Sequence, residues 1–123
     1  MQKIFLFILI SLFTNKIFSQ SGWVQQSSGA GSQTLLGASF ADANTGYVCG
    51  INGLILKTSN GGSNWNPLTT GTTKFIRTIK FVNSQTGYAA GEAGLILKTT
   101  NGGTNWLNQS LSFSSAFVNI NFV

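Results

Sequence analysis

Residues 46–65, Gly-Tyr-Val-Cys-Gly-Ile-Asn-Gly-Leu-Ile-Leu-Lys-Thr-Ser-Asn-Gly-Gly-Ser-Asn-Trp, return almost unchanged at 87–106, 41 residues further on. A fixed period near 40 constrains the fold more than composition can, because each unit buries its apolar face only against neighbouring units. The question of function moves with it, from a catalytic motif to a surface built by repetition.

Each unit divides into four strand-sized pieces. In the second, Phe75 to Val82 alternates and is closed by Asn83-Ser84-Gln85-Thr86-Gly87. Tyr88-Ala89-Ala90 follows and ends at Gly91-Glu92-Ala93-Gly94. Leu95 to Thr99 is the third piece, turned by Asn101-Gly102-Gly103, and Trp106 opens the fourth. No window carries a helical period of 3.6, and Gly or Asn interrupts the chain too often for one. Four short antiparallel strands in about 40 residues describe a β-propeller blade. The expected fold is therefore all-β: about two complete four-stranded blades with partial strands on either side, an incomplete propeller.

The first strand aligns across three copies. Leu36, Ala38 and Phe40 match Arg77, Ile79 and Phe81, and then Val118, Ile120 and Phe122. By strand alternation each set shares one face, which is expected to pack blade against blade. At the start of the chain, Met1-Gln2-Lys3, the apolar run Ile4–Phe13 and the small Ser19 have the order of a secretory signal peptide, too short to span a bilayer. The expected organisation is a signal peptide over 1–19, an outer strand and linker over 20–32, one blade over 33–73, a second over 74–114, and the first strand of a truncated third over 115–123. The outer strand is read from Trp23–Gly29, which resembles Trp65–Gly71. In a closed ring such a strand completes the last blade.

Cleavage after Ser19 removes Lys3 and Lys16, leaving five basic side chains against Asp42 and Glu92, a net charge of +3. So few cations do not make a phosphate-binding face, which excludes nucleic acid as the expected partner. Cys49 is the only cysteine and its repeat partner is Ala90, so it reads as a small buried strand residue and not a reactive thiol.

The turns Thr58-Ser59-Asn60-Gly61-Gly62-Ser63-Asn64-Trp65 and Thr99-Thr100-Asn101-Gly102-Gly103-Thr104-Asn105-Trp106 resemble the Asp-box of bacterial neuraminidase repeats, Ser/Thr-x-Asp-x-Gly-x-x-Trp, with Asn in place of Asp. The wider unit, Phe, Thr-Gly-Tyr, Gly-x-x-Gly-x-Ile-Leu-Lys-Thr and the box, is similar to the photosystem II stability/assembly factor-like propellers over residues 23–123. The resemblance implies a propeller whose box residues Thr58, Asn60, Gly62, Trp65, Thr99, Asn101, Gly103 and Trp106 are structural. Chemically, Asn60 and Asn101 can close an Asx turn, Gly62 and Gly103 supply unusual backbone angles, and Trp65 and Trp106 cover the hairpin base.

A sialidase, also suggested by the box, needs an arginine cluster, and this chain has one arginine. With no histidine the commonest general base and metal ligand is missing. Tyr47 and Tyr88 are repeat-equivalent, which favours packing, and Asp42 and Glu92 read as solvated turn residues. The strongest binding candidates are Lys74, Arg77 and Lys80, which break the repeat: Gln33, Leu36 and Ser39 stand at the same positions in the first unit. Alternation points Lys74 and Lys80 away from Arg77, and the family resemblance places Arg77 near the central channel. The expectation is a secreted or cell-surface bacterial module, not an enzyme and without cofactor or metal, that binds a protein or glycan through its loops and has no membrane span once the signal is removed. The alternative is the N-terminal part of a sialidase-like hydrolase whose catalytic residues lie downstream.

Overall fold

A computed structural model describes residues 25–112, 115–117 and 119–123. The segment read as a signal peptide, together with Trp23, Val24 and Val118, lies outside the described residues. The first unit forms β1 (Leu35–Phe40), β2 (Gly46–Gly50), β3 (Ile55–Thr58) and β4 (Asn66–Pro67). The second forms β5 (Ile76–Phe81), β6 (Gly87–Gly91), β7 (Ile96–Thr99) and β8 (Leu107–Asn108). Each set is one antiparallel sheet in chain order.

Local chemistry sets the reversals. Between β1 and β2, Asp42 Oδ1 accepts from the Asn44 and Thr45 amides at 2.8 and 2.7 Å. Asn83 Oδ1 does the same for Gln85 and Thr86 between β5 and β6, so both turns are closed by a side chain standing in for backbone. The second and third strands are joined by single 3-10 turns, Ile51–Gly53 and Glu92–Gly94, each with a left-handed residue at its centre, Asn52 at φ 57° and Ala93 at φ 50°. The outer strands are two residues long. In the first blade Pro67, which has no N–H to donate, sits on that edge.

The core lies between the blades. Tyr47, Cys49 and Ile55 of the first pack against Ile76, Ile79, Phe81, Ala89, Leu95 and Leu97 of the second. Backbones approach closely here: a Cβ on Gly37 would meet Cys49 Sγ at 3.0 Å and the Arg77 carbonyl at 3.1 Å. The Phe81 amide crosses the joint to donate to Ser39 Oγ at 3.0 Å. Ile79 and Phe81 are buried on this face, as alternation predicts, whereas their first-blade equivalents Ala38 and Phe40 are exposed, Phe40 at 57 %.

One expectation needs correcting. Both first strands carry a register shift, between Leu35 and Gly37 and between Ile76 and Thr78, so Leu36 and Arg77 are bulged and unpaired. Alternation therefore does not fix where Arg77 points relative to Lys74 and Lys80, because a bulge inserts one residue into a period of two. Residues 115–117 and 119–123 lie outside the two four-stranded sheets. They run beside the second blade, where Gly94 donates to the Ser115 carbonyl at 2.8 Å and Phe117 to the Gly91 carbonyl at 2.9 Å.

Candidate functional site

The two tryptophan turns repeat each other bond for bond. Thr58 Oγ1 accepts from the Gly62 amide at 2.9 Å and the Asn60 amide at 3.3 Å, and its proton goes to Asn60 Oδ1 at 3.0 Å. Thr99 makes the same bonds to Gly103 and Asn101. Asn60 and Asn101 accept from the amides of Asn64 and Asn105, four residues on, at 2.9 Å. That is a wider loop than the expected Asx turn, which closes two residues on. Gly62 and Gly103 hold φ of 92° and 86°, a region closed to most L side chains. Trp65 and Trp106 meet Phe40 and Phe81 of their own first strands edge to face, at 6.5 and 6.1 Å.

These turns also join blade to blade. The Gly102 carbonyl accepts from both the Tyr47 hydroxyl and Lys57 Nζ, each at 3.0 Å. Lys57 Nζ lies 5.4 Å above the Tyr47 ring, and that ring stacks on Phe81 at 3.6 Å and 8°. Tyr47 is fully buried and burial raises its hydroxyl pKa, with the Asp42 charge adding to the effect. Residue patterns in the sequence single out Tyr47 for packing but do not point to this clasp. Its one visible trace is that a lysine follows the tyrosine at the same interval in both units, Tyr47/Lys57 and Tyr88/Lys98.

The three cations that break the repeat do not come together. Lys74 lies in the loop before β5, exposed, with Nζ 3.3 Å from the Ala93 carbonyl. It lines an open polar groove of about 630 Å³, with Gln33, Asn52 and Thr69–Thr73. Arg77 bulges from the same end of β5, partly buried, and its Nε is buried with no hydrogen-bond partner among the described residues. Lys80 is exposed near the other end, paired with Tyr88. Lys74 and Arg77 thus share the groove end of the strand, and Lys80 is separate from them.

The groups that chemistry would need are engaged elsewhere. Asp42 is held below the usual carboxylate range by the Thr45 and Asn44 amides. Glu92 Oε2 accepts from the Phe75 amide at 3.3 Å. Burial pushes the Cys49 thiol up to about 12, and Cys49 is fully enclosed. Among the described residues no group of three or more His, Cys, Asp or Glu could hold a metal ion, and no helix is long and apolar enough to cross a membrane.

Serial four-stranded blades, interlocked through a tryptophan turn, define a repeat-built β-propeller. A family model described as "Photosynthesis system II assembly factor YCF48" matches residues 16–118, and the chain belongs to that family. Two solved structures are similar. One, described as YCF48 bound to D1 peptide, is 28% identical with a TM-score of 0.60, over 72% of this chain and 29% of that one. YCF48 from Cyanidioschyzon merolae is 27% identical with a TM-score of 0.58, over 65% of this chain and 24% of that one. This chain therefore spans less than a third of either protein. No curated protein matches.

Proposed function

We propose that the chain is a non-enzymatic, exported propeller module that binds a protein segment on the loop face where Lys74 and Arg77 stand, in the manner of a photosystem II assembly factor. The observation that carries this reading is the Arg77 guanidinium: it is bulged out of β5 at the groove end, and its buried Nε has no partner among the described residues. The residue is only partly buried and its side chain makes no hydrogen bond among the described residues, so the remaining guanidinium N–H groups can offer a carboxylate or a peptide carbonyl a charge-assisted hydrogen bond. The polar groove at Lys74, three residues before Arg77 and lined also by Asn52 and Thr70, suits an extended backbone. A related YCF48 was solved with a D1 peptide, which supports a peptide over a glycan. Lys80 belongs to a different surface in this reading.

Export rests on the order of residues 1–19, and a glycan partner has no support beyond its general compatibility with propeller loops. In the same proposal residues 20–32 supply the outer strand of a further blade. Gln26 lies against Gly62 of the first tryptophan turn as Leu68 of the first blade lies against Gly103 of the second. No feature of the comparisons favours a sialidase-like hydrolase.

The test is fluorescence anisotropy with labelled peptides, a D1 peptide first and acidic, neutral and basic sequences of equal length beside it, with a glycan array as control. Binding that prefers acidic or carboxylate-terminated peptides and weakens at least tenfold in Arg77→Gln, with the thermal melt unchanged, is expected. Equal binding by wild type and Arg77→Gln, or recognition of glycans alone, would refute the reading.

A further inference from the structure

Where β5 begins and β6 ends, the second blade carries three charges, Lys74, Arg77 and Glu92. The same positions of the first blade hold Gln33, Leu36 and Ile51, all neutral. Ladder pairing brings the acid to the strand that bears the cations. Ile76 faces Gly91, so the residue before β5 and the residue after β6 lie opposite each other. The Glu92 amide donates to the Phe75 carbonyl at 3.0 Å, and the Phe75 amide donates back to Glu92 Oε2 at 3.3 Å. In the first blade the Ile51 amide makes the same backbone bond to the Thr34 carbonyl, at 3.1 Å, but an isoleucine has no oxygen with which to return it. Glu92 is therefore held with its carboxylate at the foot of β5, and Arg77 stands two residues along that strand.

The three charges do not neutralise one another. Lys74 Nζ donates to the Ala93 carbonyl at 3.3 Å and not to the neighbouring carboxylate. Arg77 makes no side-chain hydrogen bond among the described residues, and its Nε is buried. Glu92 is half-buried, and among the described residues only its Oε2 is engaged, which leaves Oε1 without a partner there. A fixed acid beside cations discriminates between partners. A wholly acidic segment is drawn to Arg77 and Lys74 but repelled by Glu92, whereas a segment with a base close to its acid is attracted at both places. In an extended chain, residues two apart point the same way and lie roughly 6.8 Å from each other. That is the two-residue interval from Phe75, where the Glu92 carboxylate is tied, to Arg77.

We infer that Glu92 is a specificity-determining residue of the Arg77 site. The partner is an extended segment whose carboxylate accepts from Arg77 and whose lysine or arginine, two residues away, donates to Glu92 Oε1. This rests on the reading of Arg77 as the carboxylate contact and adds to it the charge pattern of the peptide. The bond to the Phe75 amide holds the carboxylate in place for that role.

The test is anisotropy on the full chain with labelled peptides that differ only at their centre: Asp-Ala-Lys, Asp-Ala-Gln or Asp-Ala-Asp in one neutral frame. Wild type should bind Asp-Ala-Lys about two- to fivefold more tightly than Asp-Ala-Gln, the range of a partly exposed ion pair, and the margin should shrink at high salt. Asp-Ala-Asp should bind more weakly than Asp-Ala-Lys. Glu92→Gln keeps an oxygen for the Phe75 amide and loses only the charge, so its thermal melt should match wild type while the preference for lysine disappears. Glu92→Lys should reverse the order and favour Asp-Ala-Asp. A Glu92 that serves structure alone would shift all affinities by one factor and leave their ratios unchanged, which overturns the inference. Wild type binding Asp-Ala-Asp at least as tightly as Asp-Ala-Lys overturns it equally. Arg77→Gln separates the two readings. If it weakens every peptide while Glu92→Gln leaves the ratios alone, the role of Glu92 falls and that of Arg77 stands; if it weakens none, or if no peptide binds wild type, both fall.

Discussion

Thr99→Val is the sharpest single perturbation of the turn that defines this repeat. Valine keeps the volume and branching of threonine, so the apolar surroundings of Thr99, which is 1 % exposed, are left filled. What is lost is one hydroxyl with three roles. It accepts the buried Gly103 amide at 2.9 Å, accepts the Asn101 amide at 3.3 Å, and donates to Asn101 Oδ1 at 3.0 Å. The Asn101 groups lie at the surface and can turn to water, so their loss is cheap. The Gly103 amide cannot, because Leu68, Tyr47 and Trp106 surround that residue. A buried donor left without a partner costs about 1–3 kcal/mol, and the exposed bonds add a few tenths. The expected loss is about 2 kcal/mol. For a domain near 100 residues that is a fall in Tm of roughly 8–16 °C. Urea unfolding followed by tryptophan fluorescence measures it directly, since Trp106 closes the same turn. A loss below about 0.5 kcal/mol would mean that the hydroxyl does not satisfy the Gly103 amide, and the turn chemistry argued here would be wrong.

Other expectations follow from the same structure. Gly37→Val drives a branched side chain into Cys49 Sγ and the Arg77 backbone; a loss of at least about 2 kcal/mol by urea melt is expected, with no change contradicting the close approach. Ala93 and Asn52 are repeat equivalents in the left-handed region. Ala93→Asn should therefore stabilise by about 0.5–1 kcal/mol and Asn52→Ala destabilise by a similar amount, as read from paired thermal melts. Burial holds the proton on Cys49 to about pH 12 when folded, against about 9.0 for an ordinary thiol. Its contribution is thus fully present below pH 9 and is lost as pH rises toward 12. Wild type should lose more stability than Cys49→Ala between pH 9 and 11, by up to about 1.4 kcal/mol per unit. Parallel slopes would show that Cys49 is not enclosed.

Strand order, turn positions and the blade-to-blade packing of Ile79 and Phe81 were legible in the sequence because repetition shows the same pattern twice. The bulges at Leu36 and Arg77 were not. An inserted residue leaves the identities along a strand unchanged and alters only their pairing, so alternation counted through Arg77 gives a direction the register does not support. The Asn60 and Asn101 turns were read correctly as side chains folding onto backbone amides, but the amide is four residues away because two successive left-handed glycines widen the loop. The Tyr47, Lys57 and Gly102 clasp spans 45 to 55 residues. No local pattern encodes a bond of that separation, although the paired tyrosines and lysines in both units mark where it forms. Lys74, Arg77 and Lys80 were noticed as departures from the repeat, and only the structure separates Lys80 from the other two.

The interlocking of consecutive blades through the Tyr47–Phe81 stack is measured most directly by a double-mutant cycle, with Tyr47→Leu, Phe81→Leu and the double variant unfolded in urea. The two rings lie parallel at 3.6 Å on different blades. A favourable coupling of about 0.5–1.5 kcal/mol is predicted, with all four proteins unfolding in a single transition. Additive losses, or two separate transitions for the two sheets, would contradict it.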